Sequence, residues 1–111
     1  MISQKKQIEL IANQLNQIED EMHKIKLWQM TPPKADAFLS QEPFAIDTME
    51  GHEWLQWIFI PRMRALIDAK ADLPQGFALH PYFEEVLKEQ DEVSQLLFLI
   101  KQLDDLSLPA Y

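Results

Sequence analysis

The hydrophobic residues of this chain recur at helical spacing almost from end to end. Over residues 3–28, Ile8, Ile11, Leu15, Ile18, Met22 and Ile25 follow one another at steps of three, four, three, four and three. Such steps hold one apolar stripe on one helix face and make an unbroken heptad seam. Ser3 stands where an N-cap belongs. Thr31-Pro32-Pro33 is expected to end the helix, because proline has no N–H to donate and drives its predecessor out of the helical region.

Residues 34–46 predict a connector with one short helical turn over 35–39, and Pro43 limits anything longer. Phe38, Leu39, Phe44 and Ile46 are expected to tuck against the core. Asp47 begins a second long helix. With Glu50 three residues on it fits a capping box, and Thr48 is the rival N-cap. Trp54, Leu55, Trp57, Ile58, Phe59 and Ile60 then cover almost every face, the pattern of a central, buried helix. The pattern continues through Met63, Leu66 and Ile67. Pro61 is expected to kink or interrupt it, since it removes one backbone bond and crowds the Trp57 carbonyl.

Leu73-Pro74-Gln75-Gly76 reads as a turn. A short helix over 81–90 follows, with Pro81 at its first position and Glu84 and Glu85 where the dipole favours acids. Asp91 is the expected N-cap of a last helix striped by Val93, Leu96, Leu97, Ile100 and Leu103. Residues 107–111 read as a loose tail. No run alternates with period two. The expected class is all-α: one domain over 1–111, an antiparallel bundle of about four main helices, the central one broken or bent at Pro61.

Composition narrows the function. The 111 residues are 47% hydrophobic and 25% charged, ordinary for one globular domain with a real core. There is no cysteine, which removes disulfides, thiolate metal sites and a cysteine nucleophile together. The N-terminal stretch is polar, without the apolar region of a signal peptide, and no apolar run approaches the length of a membrane span. A cytoplasmic, soluble protein without a membrane partner is expected. Net charge is −8, with residues 1–30 neutral and residues 31–60 and 61–111 each at −4. No basic stripe exists to grip a phosphate backbone, so direct nucleic-acid binding is disfavoured and a basic protein partner favoured.

The chemical motifs are weak. His52-Glu53-Trp54-Leu55-Gln56 is one residue short of the zinc-protease pattern HExxH, which needs two imidazoles four apart with a glutamate base. Here a glutamine fills the second ligand position. Asp20-x-x-His23 lies off the apolar seam and faces water. No serine sits in a nucleophile elbow, and two glycines cannot build a phosphate-cradling loop. Asp47 beside Thr48 reads as a helix cap before it reads as a catalyst. Arg62 and Arg64, directly after Pro61, are placed to clamp an anion or to pair with the chain's own carboxylates. No catalytic residue, metal set or cofactor is assigned. The candidate surface or pocket comprises Asp47, Glu53, Trp54, Trp57, Arg62, Arg64 and Tyr82. The seam of the first helix packs within the chain by default, and a homodimer through it is the alternative.

The words Pro43-Phe44, Asp47-Thr48-Met49-Glu50, Glu53-Trp54-Leu55-Gln56-Trp57, Ile60-Pro61-Arg62-Met63, Leu73-Pro74, Phe77 and Pro81-Tyr82 resemble, in order, the YqcC-like family of small bacterial proteins. The likeness is close over residues 43–85. It implies an all-α bundle and brings no established functional residues. The family carries the label tRNA pseudouridine synthase C by association with a neighbouring synthase gene. Known pseudouridine synthases have a mixed α/β fold with a strand-borne catalytic aspartate, so the resemblance implies an accessory relationship to that enzyme. A non-enzymatic interaction module partnering a tRNA-modifying synthase is therefore the first expectation. A small-molecule or anion site near Asp47 to Arg64 is the second.

Overall fold

The structure, a computed structural model, describes residues 3–109. Helix α1 spans Gln4–Lys24, and Ser3 caps it as predicted, its Oγ accepting from the Lys6 N–H at 3.1 Å. The seam residues Ile11, Leu15, Ile18 and Met22 are buried to 1% exposure or less. The helix ends at Lys24 rather than at residue 28, and proline is not what ends it. Lys26 turns left-handed at φ 63°. The Leu27 N–H then reaches back to the Met22 carbonyl at 2.9 Å, and the Lys26 N–H to His23 at 3.1 Å. These bonds satisfy carbonyls that a helix end leaves open. Glycine is the usual residue for this cap, so a lysine there gives no stop signal.

Two 3-10 turns follow, Ala35–Leu39 and Pro43–Ala45. The first is the predicted one. Ala37 and Ala45 pack with Met49 as a small buried cluster against Trp54 and Ile58. Phe44 also packs inward. Phe38, Leu39 and Ile46 do not: they are 40%, 76% and 59% exposed. The alanines take the inward positions, so the turns lie close on the central helix and their large neighbours project outward. Asp47 does not cap that helix. It accepts from the Ser40 hydroxyl, and Thr48 Oγ1 donates to the Ala37 carbonyl at 2.7 Å, clipping the two turns together. The cap falls one turn later. Helix α2 spans Gly51–Trp54 with Glu50 at its N-cap, and Glu53 Oε1 accepts from the Glu50 N–H at 2.8 Å.

The chain runs helically from α2 through a π turn, Leu55–Phe59, into α3, Ile60–Asp68. The interruption expected around Pro61 takes this form. The Ile60 N–H bonds to the Leu55 carbonyl, five residues back, so the helix widens in the turn before the proline and continues. Helix α3 ends on a second left-handed lysine, Lys70 at φ 57°, with Ala71 N–H to Leu66 at 2.9 Å.

Gly76, at φ 70°, makes the predicted turn. Helix α4 is His80–Val86 and α5 is Ser94–Leu106. The former stops well before residue 90. Asp91 is not a cap; Val93 holds that position without a side-chain bond. Helix α4 is instead capped from α5. Buried Asp104 accepts from the N–H groups of Leu79 and His80, both at 2.8 Å, supplying the donors of a helix start with a carboxylate. Ser107 does not belong to a loose tail: it is 1% exposed and donates to the Asp104 carbonyl at 2.7 Å. Ala110 and Tyr111 lie outside the described residues.

The seam of α1 meets Leu96, Ile100 and Leu103 of α5 and Ile60 and Met63 of α3 in one core, with Leu55 and Phe83 also in it. Glutamines fasten α1 to α5 along the rim. Gln14 Nε2 donates to Leu99 O at 2.8 Å, and Gln7 Nε2 to Leu106 O at 2.7 Å and Leu108 O at 2.9 Å. The fold is all-helical among the described residues, four principal helices around one core.

Candidate functional site

The candidate residues sit on or beside the central helix, and the π turn decides how they divide. In an α-helix, residues three apart share a face. Through a π turn each residue advances by a smaller angle, so Trp54 and Trp57 swing apart. Trp54 faces the aromatic side. Phe44 lies edge-on to it at 4.8 Å and stacks flat on Tyr82 at 4.0 Å. Phe59 and Phe83 complete the set at 5.4 and 6.3 Å from Trp54. Burial, and then the nearby Glu50 carboxylate, hold the Tyr82 hydroxyl above its ordinary pKa. Gly51 makes the close approach of α4 possible: a Cβ there would come within 2.9 Å of Val86 Cγ2.

Trp57 faces a polar clamp. Gln56, 3% exposed, accepts from the Gln29 N–H at 2.7 Å and donates to the Gln29 carbonyl at 2.8 Å. The Gln29 side chain answers: its Oε1 accepts from the Trp57 indole at 2.9 Å and its Nε2 donates to Glu53 Oε2 at 3.1 Å. Glu53 thus holds the helix start with one oxygen and the loop with the other. This accounts for the truncated protease pattern. Glutamine at position 56 carries its acceptor and donor side by side, matching the N–H and carbonyl of one residue, whereas the two nitrogens of a neutral histidine point apart. His52 is half-buried with Nδ1 unpaired, and among the described residues no three His, Asp or Glu gather as a metal set.

The structure therefore joins Glu53 with Trp57 through Gln29, and Trp54 with Tyr82 through Phe44. Arg64 belongs to neither group. One guanidinium nitrogen meets Glu19 at 2.7 Å and another Asn16 at 2.9 Å, fixing α3 to α1. Glu19 also lies 3.5 Å from His23, whose ring stacks on Trp28 at 5.0 Å. Arg62, two residues away, is exposed on another side of the helix, and Asp47 stays in the connector. A shallow groove of about 360 Å³ runs between the Trp28–Met30 loop and Trp57, Pro61 and Arg64. Gln29 and Asp104 are the organising residues that periodicity does not reveal. The one trace is Asp104 itself, a charge four residues past Ile100 on the apolar stripe.

These features define a small helical bundle whose central helix is fastened to its flanking loop by amides. The chain matches the family model described as tRNA pseudouridine synthase C over residues 10–106, and it belongs to that family. It is 51% identical over 92 residues to an uncharacterised protein of Haemophilus influenzae, covering 83% of this chain and 87% of that one. It is 39% identical over 94 residues to the uncharacterised protein YqcC of Escherichia coli, covering 84% and 86%. The solution NMR structure of Escherichia coli YqcC superposes with a TM-score of 0.81 at 34% identity, over 95% of this chain and 93% of that one. A Pectobacterium carotovorum protein named tRNA pseudouridine synthase C is 45% identical over 67 residues, 60% of this chain but 18% of its own length.

Proposed function

We propose that this chain is an interaction module that works beside a tRNA pseudouridine synthase in the cytoplasm, with the base chemistry performed by the partner. The observation that carries this reading is the Pectobacterium carotovorum protein. It bears the synthase name, yet the segment like this chain fills under a fifth of it. A module of this kind thus occurs within a much larger protein of that name, and function in trans is the natural counterpart. The interior supports the reading: the polar groups around Gln29 are satisfied by one another, a structural use that leaves no free nucleophile or base among them.

The test is to mix the purified full-length chain with the purified synthase C of the same bacterium and follow both by size-exclusion and by pseudouridine formation on tRNA. A shared peak, or an altered rate, is expected. Separate elution at micromolar concentrations with an unchanged rate would defeat the reading. The second expectation, an anion site, has the groove beside Trp57 and Arg64 in its favour. The Arg64 guanidinium is already engaged by Glu19 and Asn16, so the interaction reading is the stronger.

A further inference from the structure

Among the described residues, seven large hydrophobic side chains stand exposed, and three of them, Phe38, Leu39 and Ile46, fall within the connector. The other four are scattered: Met30, Val86, Phe98 and Leu108. Clustering matters, because single exposed hydrophobics are ordinary whereas a contiguous group marks a contact surface. The two connector turns are clipped side by side by Ser40 to Asp47 and Thr48 to Ala37. Their backbone is also costly to hold. Phe44 at φ 58° and Ala45 at φ 48° are consecutive left-handed residues without glycine, immediately before the outward Ile46. Conformations of this kind persist where surrounding structure enforces them, and here the Phe44–Tyr82 stack and the Ala37–Ala45–Met49 cluster do so.

The charge around these side chains is mainly negative. Residues 34–50 contain Asp36, Glu42, Asp47 and Glu50 against a single base, Lys34. All four carboxylate residues are exposed. We infer that the connector is a docking surface for a cationic amphipathic segment of a protein, one that places apolar side chains on Phe38, Leu39 and Ile46 and lysine or arginine beside the four carboxylates. The occupant follows from complementarity. Nucleic-acid phosphates and anionic lipid headgroups are both repelled by this rim. An apolar centre with a charged rim is the usual anatomy of a protein interface, with the rim setting association rate and salt dependence. The inference rests on the reading above and sharpens it: an enzyme that grips tRNA carries basic surface, and such a surface fits here.

The experiment titrates the full-length chain, wild type and variants, into purified synthase C of the same bacterium. Leu39→Ser with Ile46→Ser is expected to weaken binding at least about tenfold, as loss of central interface contacts does. Asp36→Lys with Glu42→Lys is expected to weaken it and to flatten its salt dependence. Phe98→Ser, an exposed hydrophobic on α5, is expected to change nothing. All these positions are solvent-exposed, and unchanged circular-dichroism melts verify the folds. Should Leu39→Ser/Ile46→Ser fail to fold, the charge-reversed chain decides alone. Tight binding that survives both double variants overturns the docking surface and leaves the interaction reading standing. No binding by wild type overturns both. Equal or tighter binding to vesicles containing phosphatidylglycerol overturns the assignment to a protein partner.

Discussion

Trp54 and Trp57 stand three residues apart on one helix and are held in different ways. Trp54 lies among Phe44, Phe59, Tyr82 and Phe83, where contact area and ring geometry supply the stability. Trp57 is held by a directed bond to Gln29, whose backbone is itself held by Gln56. Packing energy is graded, since neighbours relax into lost volume. Hydrogen-bond energy is stepwise, since removing one partner leaves the other part-buried and unpaired. The two sides of one helix should therefore fail differently.

The largest effect should come on the aromatic side. Trp54 is only partly buried, so Trp54→Ala is expected to lower the free energy of unfolding by about 3 kcal/mol, the low end for a core aromatic, read by urea denaturation. Gly51→Ala drives a Cβ into Val86 and should cost about 1–3 kcal/mol. Adding Val86→Ala should restore part of that loss, and strict additivity of the two would show that the clash is not what Gly51 avoids. On the polar side, Gln56→Ala leaves the Gln29 N–H and carbonyl without partners and should cost about 1–3 kcal/mol, whereas Trp57→Phe loses a single bond and about 1 kcal/mol. Equal losses for those two would break the comparison.

Tyr82 offers a pH-dependent version. Its folded-state pKa is raised, by burial first and Glu50 second. The neutral phenol therefore contributes stability that is complete below the unfolded value near ~10 and is lost as pH rises through the folded value. Wild type should lose stability above about pH 10 more steeply than Tyr82→Phe, and parallel curves would remove Tyr82 from the account. The smallest effect has the opposite sign. Lys26→Gly and Lys70→Gly relieve left-handed backbone and should each add about 0.5–1 kcal/mol, visible as a raised thermal midpoint.

What was legible in the sequence is the repetitive part. The three-four spacing of α1 marked its buried face, Ser3 marked its start, and the unbroken apolar run marked the central helix. The family resemblance fell on the residues that build the aromatic side, including Phe44, Trp54 and Tyr82. Helix ends were less legible, because Lys26 and Lys70 occupy a conformation that glycine usually announces. The cap at Glu50 was hidden by an equally good pair at Asp47. The Gln29–Gln56 clamp and the Asp104 cap were invisible for another reason. They join residues some 25 positions apart or more, and a lone glutamine or aspartate has no periodic signal to betray its partner.

The glutamines of α1 reach residues near the other end of the chain: Gln14 to Leu99, and Gln7 to Leu106 and Leu108. On a ribosome this has a temporal consequence. Helix α1 is made before the other helices of the bundle, and its apolar seam finds no α5 until that helix has been translated. At the usual pace of synthesis the seam waits on the order of ten seconds, unpaired and able to stick to other nascent chains. The bundle closes only once α5 has emerged, and that interval is when the α1 seam most needs a chaperone.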